Sequence, residues 1–180
     1  MPKIKEFTPT QSMKLVQSMF KNKVKLKQEN FKPGTILFYN YNAKDKTQTY
    51  DRTPLVLILK RNRTHTMAIN LHWAPTPLRV VLVKKIIQVN KKNIQLNKPL
   101  EFDYNQLRPF LKKVGFAPII RLYINKRISN KGVIIPSSEM MTAARLKTET
   151  FTNGRVSAEE LYRKALNNNK KYRKTRKRRQ

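Results

Sequence analysis

The sequence predicts an α+β fold: a small, β-rich, barrel-like core with flanking N- and C-terminal helices and a basic disordered tail. Short β-branched and aromatic runs bounded by turn residues fill much of 33–71 and 118–136, the pattern of strands. Apolar residues at helical spacing stand near both ends of the chain. Eight of the ten residues from Lys170 to Arg179 are Lys or Arg, a block that repels itself and stays disordered when free. The chain therefore divides into an N-terminal arm and helix at 1–28, a β-rich core domain at 29–156, and a C-terminal helix and basic tail at 157–180.

Residues 1–9, with Pro2 and Pro9, read as an irregular arm. Thr10-Gln11-Ser12 can start a helix over 11–23. There Met13, Val16, Phe20 and Val24 form an apolar stripe that Leu15 and Met19 widen. Pro33-Gly34 signals a turn and opens a strand from Thr35 to Tyr41. After a polar loop from Asn42 to Thr49, Pro54 precedes Leu55-Val56-Leu57-Ile58-Leu59, an unbroken apolar run that suits a strand buried on both faces. Lys60-Arg61-Asn62-Arg63 is a basic turn, and Thr64 to Leu71 completes a hairpin with the run before it. His72 to Pro77 breaks the sheet. Leu78 to Val89 stays open between a strand, favoured by its β-branched content, and a helix, for which Pro77 is well placed in the first turn. Lys91 to Asp103 reads as irregular. Tyr104 to Gly115 predicts a short helix with Leu107, Phe110, Leu111 and Val114 on one face and Gly115 as its C-cap, Pro109 limiting its regularity. Pro118 to Ile124 and Val133 to Ile135 read as strands, and a helix is expected over 138–146. Ser157 and Glu160 have capping-box spacing at the head of a last helix over 158–168.

Charge is the strongest functional signal. The 180 residues carry 40 Lys+Arg against 10 Asp+Glu, a formal net charge of +30. This divides into +6 over 1–28, +16 over 29–156 and +8 over 157–180, so density is highest at the end. Such a charge repels itself in the compact state, and a polyanion is the natural counterweight. Nucleic acid leads, ahead of an acidic membrane surface or an acidic protein. The plainer reading is a solvated lysine-rich surface from an AT-rich genome, which the abundance of Asn, Ile and Lys fits. The uneven distribution and the arginines near the end go beyond it. Absence of cysteine excludes a disulfide framework and a Cys-based zinc site, and two histidines cannot build a His-rich metal centre. No apolar run approaches the ~18–20 residues that span a bilayer, so membrane insertion is not expected. Met1 to Glu6 lacks the apolar core of a signal peptide. Four glycines offer no phosphate-cradling loop, and no P-loop, dinucleotide fingerprint or zinc-protease motif occurs. No cofactor is expected.

Candidate phosphate-binding residues are Arg61 and Arg63 of the basic turn, Arg79, and Lys170, Lys171, Arg173, Lys174, Arg176, Lys177, Arg178 and Arg179 of the tail. Phosphate contacts position a protein without reading sequence. Phe38, Tyr39, Tyr41, Tyr50, His72, Trp73 and Tyr123 are interleaved with Arg52, Arg61, Arg63, Arg79 and Arg121, and aromatics beside cations can stack unpaired bases. Alternate strand residues point inward, so about half of these aromatics are expected in the core, and Trp73 reads as a packing residue. Acid–base chemistry has few candidates: His65, His72, Asp45, Asp51, Glu101 and Asp103. The scattered acids form no carboxylate cluster of the kind a metal-dependent nuclease uses. Glu101 and Asp103 read as charge compensation at a helix start. No catalytic site is expected.

Pro33-Gly34 with Ile36, Phe38 and Tyr41 is followed by Tyr50-Asp51-Arg52-Thr53-Pro54-Leu55-Val56, by Ile69-Asn70-Leu71-His72-Trp73-Ala74-Pro75, and by Leu78-Arg79. This series resembles small basic proteins of contractile-tailed bacteriophages, some of them described as DNA end protectors or virion-associated proteins. A second block from Pro118 to Phe151, with Ile124, Arg127, Pro136 and Glu139, extends the resemblance to roughly two thirds of the chain. Ala68 departs from the pattern where a glycine would fit, and Trp73-Ala74 where Tyr-Leu is expected. The resemblance implies a non-catalytic DNA-binding protein of a tailed phage, acting at genome packaging, DNA ends or head completion. Its partners would be nucleic acid and phage head or tail proteins, and its location the host cytoplasm or the virion. The strand–loop–Arg–Pro–strand layout is also similar to the toxin endoribonucleases, which implies an SH3-like β-barrel for the core. It implies, as an alternative function, RNA cleavage by Arg52 with His65 or His72. In that family the arginine stands before the proline, whereas Thr53 separates Arg52 from Pro54 here. A virion connector whose basic surface meets acidic proteins is the third reading.

Overall fold

The computed structural model describes residues 7–43, 51–96, 103–115, 119–146, 157 and 159–167. They form a mixed α+β structure on one six-stranded antiparallel sheet. Its strands are β1 (Val24–Lys25), β2 (Ile36–Tyr41), β3 (Leu55–Arg61), β4 (His65–Asn70), β5 (Ile120–Ile124) and β6 (Ile128–Ile135), in the order β1-β6-β2-β3-β4-β5. The sheet is open. Among the described residues β5 pairs only with β4 and β1 only with β6, so the ladder does not close on itself. The helices are α1 (Pro9–Lys21), α2 (Thr76–Val89), α3 (Lys91–Gln95), α4 (Tyr104–Val114), α5 (Met140–Ala144) and α6 at 159–167.

The apolar run of β3 is covered on both faces, as its pattern requires. Successive strand residues point to opposite sides. Ile36, Phe38, Leu55, Leu57, Leu59 and Ile69 face a cluster to which α1, α2, α4 and α5 add Met19, Val83, Leu111 and Ala143. Leu37, Tyr39, Val56, Ile58 and Ala68 face the other way, under Leu26, Phe31 and Tyr123. Two bulges, between Tyr39 and Tyr41 of β2 and between Ile58 and Lys60 of β3, bend their strands and increase local twist. The curl brings Tyr41 to Tyr123, two strands beyond its ladder neighbours, with ring centroids 5.0 Å apart and planes at 88°. Ile124 N donates to Tyr41 Oη at 3.3 Å.

Residues 78–89 lie in α2. Thr76, Arg79, Val80, Val83 and Ile86 are buried at the spacing of one helical stripe. Packing of that stripe outweighs the modest helix penalty of its β-branched residues, and a proline sits in the first turn. α1 starts two residues earlier than expected, because Thr8 and Gln11 form a reciprocal capping box, and it ends at Lys21. Its inward face is Ser12 and Met19 with Leu15 and Val16, whereas Met13 is exposed and Val24 lies in β1. Residues 91–95, expected to be irregular, form α3. β6 begins at Ile128, five residues before the expected strand, because its polar first half pairs with β1 and with the end of β2. α4 ends as expected at Gly115, φ +90°, a left-handed conformation that glycine adopts at little cost. Asp103 caps its start, accepting from Asn105 N at 2.8 Å. Ser157 Oγ accepts from Glu160 N at 3.1 Å at the head of α6.

Candidate functional site

An open-mouthed cleft of about 970 Å³ lies where β2 ends, β3 begins and β5 turns into β6. β2 supplies Asn40, Tyr41 and the following Asn42; the segment entering β3 supplies Arg52 and Thr53. The 3₁₀ turn Asn125–Arg127 supplies Lys126 and Arg127, and the head of β6 supplies Ile128 and Ser129. Three side chains are cationic, and among the described residues no carboxylate lines the cleft.

The walls are fixed from behind. Asp51 is 6% exposed. Its Oδ1 accepts from Thr53 N at 3.1 Å, and its Oδ2 lies 2.6 Å from His72 Nδ1 and 3.4 Å from Asn70 Nδ2. The side chain of Asp51 thus ties the Asp51-Arg52-Thr53 turn to the core and leaves Arg52 outside. Arg52 O accepts from Tyr41 N at 2.8 Å. Arg127 Nη1 donates to the carbonyls of Asn42 and Ala43 at 3.2 and 3.3 Å, which holds the end of β2 against the 3₁₀ turn. Tyr123 and Tyr39 pack beneath Tyr41. Burial raises the phenol pKa of both Tyr39 and Tyr123, reinforced for Tyr39 by the neighbouring phenols and for Tyr123 by Asp51.

The structure separates the expected site residues. Arg63 is exposed at the β3–β4 turn. Arg61 is half-buried, its guanidinium 3.8 Å above the Phe31 ring and its Nη1 3.2 Å from Thr66 Oγ1, and burial lowers its pKa. Arg79 does not join them. It is 1% exposed, turned inward by the helical phase of α2, and its Nη2 donates to Thr76 Oγ1 at 2.7 Å. A strand would have left the choice of face open; the helix puts Arg79 on the packed stripe. The tail cations from Lys170 to Arg179 lie outside the described residues, as do Tyr50, Asp45 and Glu101. Arg52 is exposed and lines the cleft, whereas His72 is fully buried and His65 is half-buried on β4, its Nδ1 2.9 Å from Thr64 Oγ1. Phe38, Tyr39, His72 and Tyr123 are core residues; Tyr41 and Trp73 keep partial exposure, Trp73 under the Arg121 guanidinium at 4.1 Å. Burial lowers the Arg121 pKa.

Lys126, which lines the cleft, and Lys131 and Lys25, which face each other, are cations that sequence reasoning does not single out. Lys126 follows Asn125, which ties the 3₁₀ turn to the basic hairpin: Asn125 N donates to Thr64 O at 2.9 Å and Asn125 Nδ2 to Asn62 O at 2.8 Å. Lys131, two residues after Ser129, stands directly opposite Lys25 in the β1–β6 ladder. Both are exposed, and neither forms an ion pair among the described residues. The cluster Asn125-Lys126-Arg127 between two strand-like runs was the available signal; the pairing of Lys25 with Lys131 needs the register.

No family model, curated protein or solved structure matches the chain. Among the described residues no group of three or more His, Asp or Glu could hold a metal ion, and no helix is long and apolar enough to cross a membrane.

Proposed function

We propose that the chain is a non-catalytic nucleic-acid-binding protein, with DNA as its partner. The observation that carries this reading is the placement of cations along 125–131. Lys126 and Arg127 meet Arg52 in a cleft with no described carboxylate, and Lys131 meets Lys25 across a ladder. Like charges directly opposite on adjacent strands are destabilising. Phosphates would neutralise them and release counterions. The basic turn with Arg63 is tied to the same 3₁₀ turn through Asn125, and the Lys- and Arg-rich tail would add further phosphate contacts. A phage setting, at packaging, DNA ends or head completion, rests on the resemblance of residues 33–83 and 118–151 alone. Closure of the core into an SH3-like barrel rests on the resemblance to the toxin endoribonucleases; the Tyr41–Ile124 contact across the curl is in its favour and the open ladder is against it.

The test is DNA affinity as a function of salt, for the full chain and for a chain lacking residues 169–180. If four to six tail charges engage, deletion flattens the log–log slope by roughly 4 to 5. An unchanged slope removes the tail from the mechanism. A full chain that shows no salt-dependent DNA binding overturns the function. One observation favours a second reading, an endoribonuclease: Arg52 lines the cleft. Cleavage of single-stranded RNA that is lost in Arg52→Ala would establish that reading and displace the first.

A further inference from the structure

Building on the reading of the chain as a nucleic-acid binder, we infer that the cleft between β2 and the β5–β6 turn receives an unpaired nucleotide, its base against Tyr41 and its phosphate on Lys126 and Arg52. A duplex is a convex rod whose base edges are reached by elements that protrude into its grooves. A recess cannot reach them. A recess of about 970 Å³ falls in the range of about 300–1,000 Å³ that takes small organic ligands, and what enters it from a nucleic acid is a base that has left the stack.

The lining has the two characters such a group needs. Tyr41 is half-buried and held at right angles to Tyr123, with its hydroxyl fixed by Ile124 N at 3.3 Å. Ile128 adds a second apolar surface. A fixed aromatic contributes contact without paying much ordering entropy, and every base has a face to stack on it. Around this patch, the amide of Asn42 can donate and accept, the hydroxyl of Ser129, which donates to the Lys131 carbonyl at 3.0 Å, keeps a lone pair that can accept, and Lys126 and Arg52 supply the positive charge. The cleft keeps its shape because Arg127 holds the carbonyls of Asn42 and Ala43.

The test is a titration of isotope-labelled full-length protein, followed by backbone amide shifts, with three probes: single-stranded tetrathymidylate, a blunt duplex and inorganic tripolyphosphate. Tetrathymidylate is expected to shift the amides of 41–42, 52–53 and 126–129, and the other two probes to leave 41–42 unmoved. Lys126→Glu should weaken tetrathymidylate binding and flatten its salt slope by about 0.7. Tyr41→Leu should weaken it about 10-fold, the scale of one lost base–aromatic stack. If Tyr41→Leu fails to fold, the Lys126 variant and the shift map still decide. Tetrathymidylate binding with shifts confined to other residues, or identical cleft shifts with tripolyphosphate, overturns this inference and leaves nucleic-acid binding standing. Failure of both nucleic acids to bind overturns both.

Discussion

Lys131 and Lys25 are exposed and directly opposite in the β1–β6 ladder, so Lys131→Glu should raise stability while lowering nucleic-acid affinity. Opposite-charge cross-strand pairs contribute roughly 0.2–1 kcal/mol, and like charges cost a comparable amount. Both side chains are in solvent, where screening reduces either effect, so a net gain of about 0.5 kcal/mol is expected. For a chain of this length that is a rise of about 1–2 °C in melting temperature, larger at low salt. Binding moves the other way. Loss of one phosphate contact flattens the salt slope by about 0.9, equivalent to about eightfold in affinity between ~1 M and ~0.1 M salt. Lys25→Glu should reproduce the stability gain, and the doubly substituted chain should lose it, because two glutamates repel as two lysines do. Thermal melts at two salt concentrations and fluorescence anisotropy across a salt series read both quantities. A lower melting temperature in Lys131→Glu, or an unchanged slope, would refute the reasoning.

Gly132→Ala should destabilise by about 3 kcal/mol, the upper range for overpacking, because its Cβ would meet the Phe38 carbonyl oxygen and approach Leu26 Cδ1 to 2.7 Å; a thermal melt checks it. Asp51→Ala leaves Thr53 N, His72 and Asn70 without their buried acceptor, and a loss of about 2–4 kcal/mol is expected, seen as a lower urea midpoint at constant slope. Burial raises the Tyr39 and Tyr123 pKa above the ordinary value of 10.0. Their contribution to stability is therefore complete below pH 10.0, and it is lost as pH rises above that value and unfolded tyrosine ionises first. Denaturation midpoints should fall through this window, and Tyr39→Phe should blunt the fall; an identical fall in that variant removes Tyr39 as its cause. At neutral pH Tyr39→Phe should be neutral or stabilising, since its hydroxyl has no hydrogen-bond partner among the described residues.

Much of the fold is legible wherever local chemistry and burial agree. β2, β3 and β4 follow from β-branched runs between turns, and α4 from its apolar face, Asp103 and Gly115. Leu78 to Val89 is ambiguous in the sequence because its β-branched residues favour a strand while Pro77 suits a helix start, and Arg79, on the buried stripe, is a residue type that composition places at the surface. The first half of β6 is not legible because Ser129, Asn130 and Lys131 have little strand preference of their own; pairing with β1 makes them a strand. Arg52 stands out in the sequence beside Asp51 and Pro54, but its companions Lys126 and Arg127 come from a segment some 74 residues away, brought to it by the curl of the sheet. A buried Asp51–His72 pair cannot be read from two residues 21 positions apart.

Compositional drift and selection for a polyanion make different demands on where lysines fall. Drift adds lysine where solvent tolerates it, on exposed helix faces such as Lys84, Lys91 and Lys92, where each charge has room. It has no reason to keep two lysines face to face in a ladder, where the pairing itself costs stability. Nor does drift account for a carboxylate drawn inside at Asp51 while its neighbour Arg52 is left facing a cleft with Lys126 and Arg127. That inside–outside sorting keeps the one negative charge beside the cleft among the described residues engaged with His72 and the Thr53 backbone, and away from the cationic wall. Natural sequences break local rules mainly where function compensates, and the breaches here gather on one short stretch, 125–131, and on the strand that pairs with it. The overall charge of +30 makes a polyanion welcome anywhere on the surface; the arrangement of five cations around that stretch is what favours a particular place.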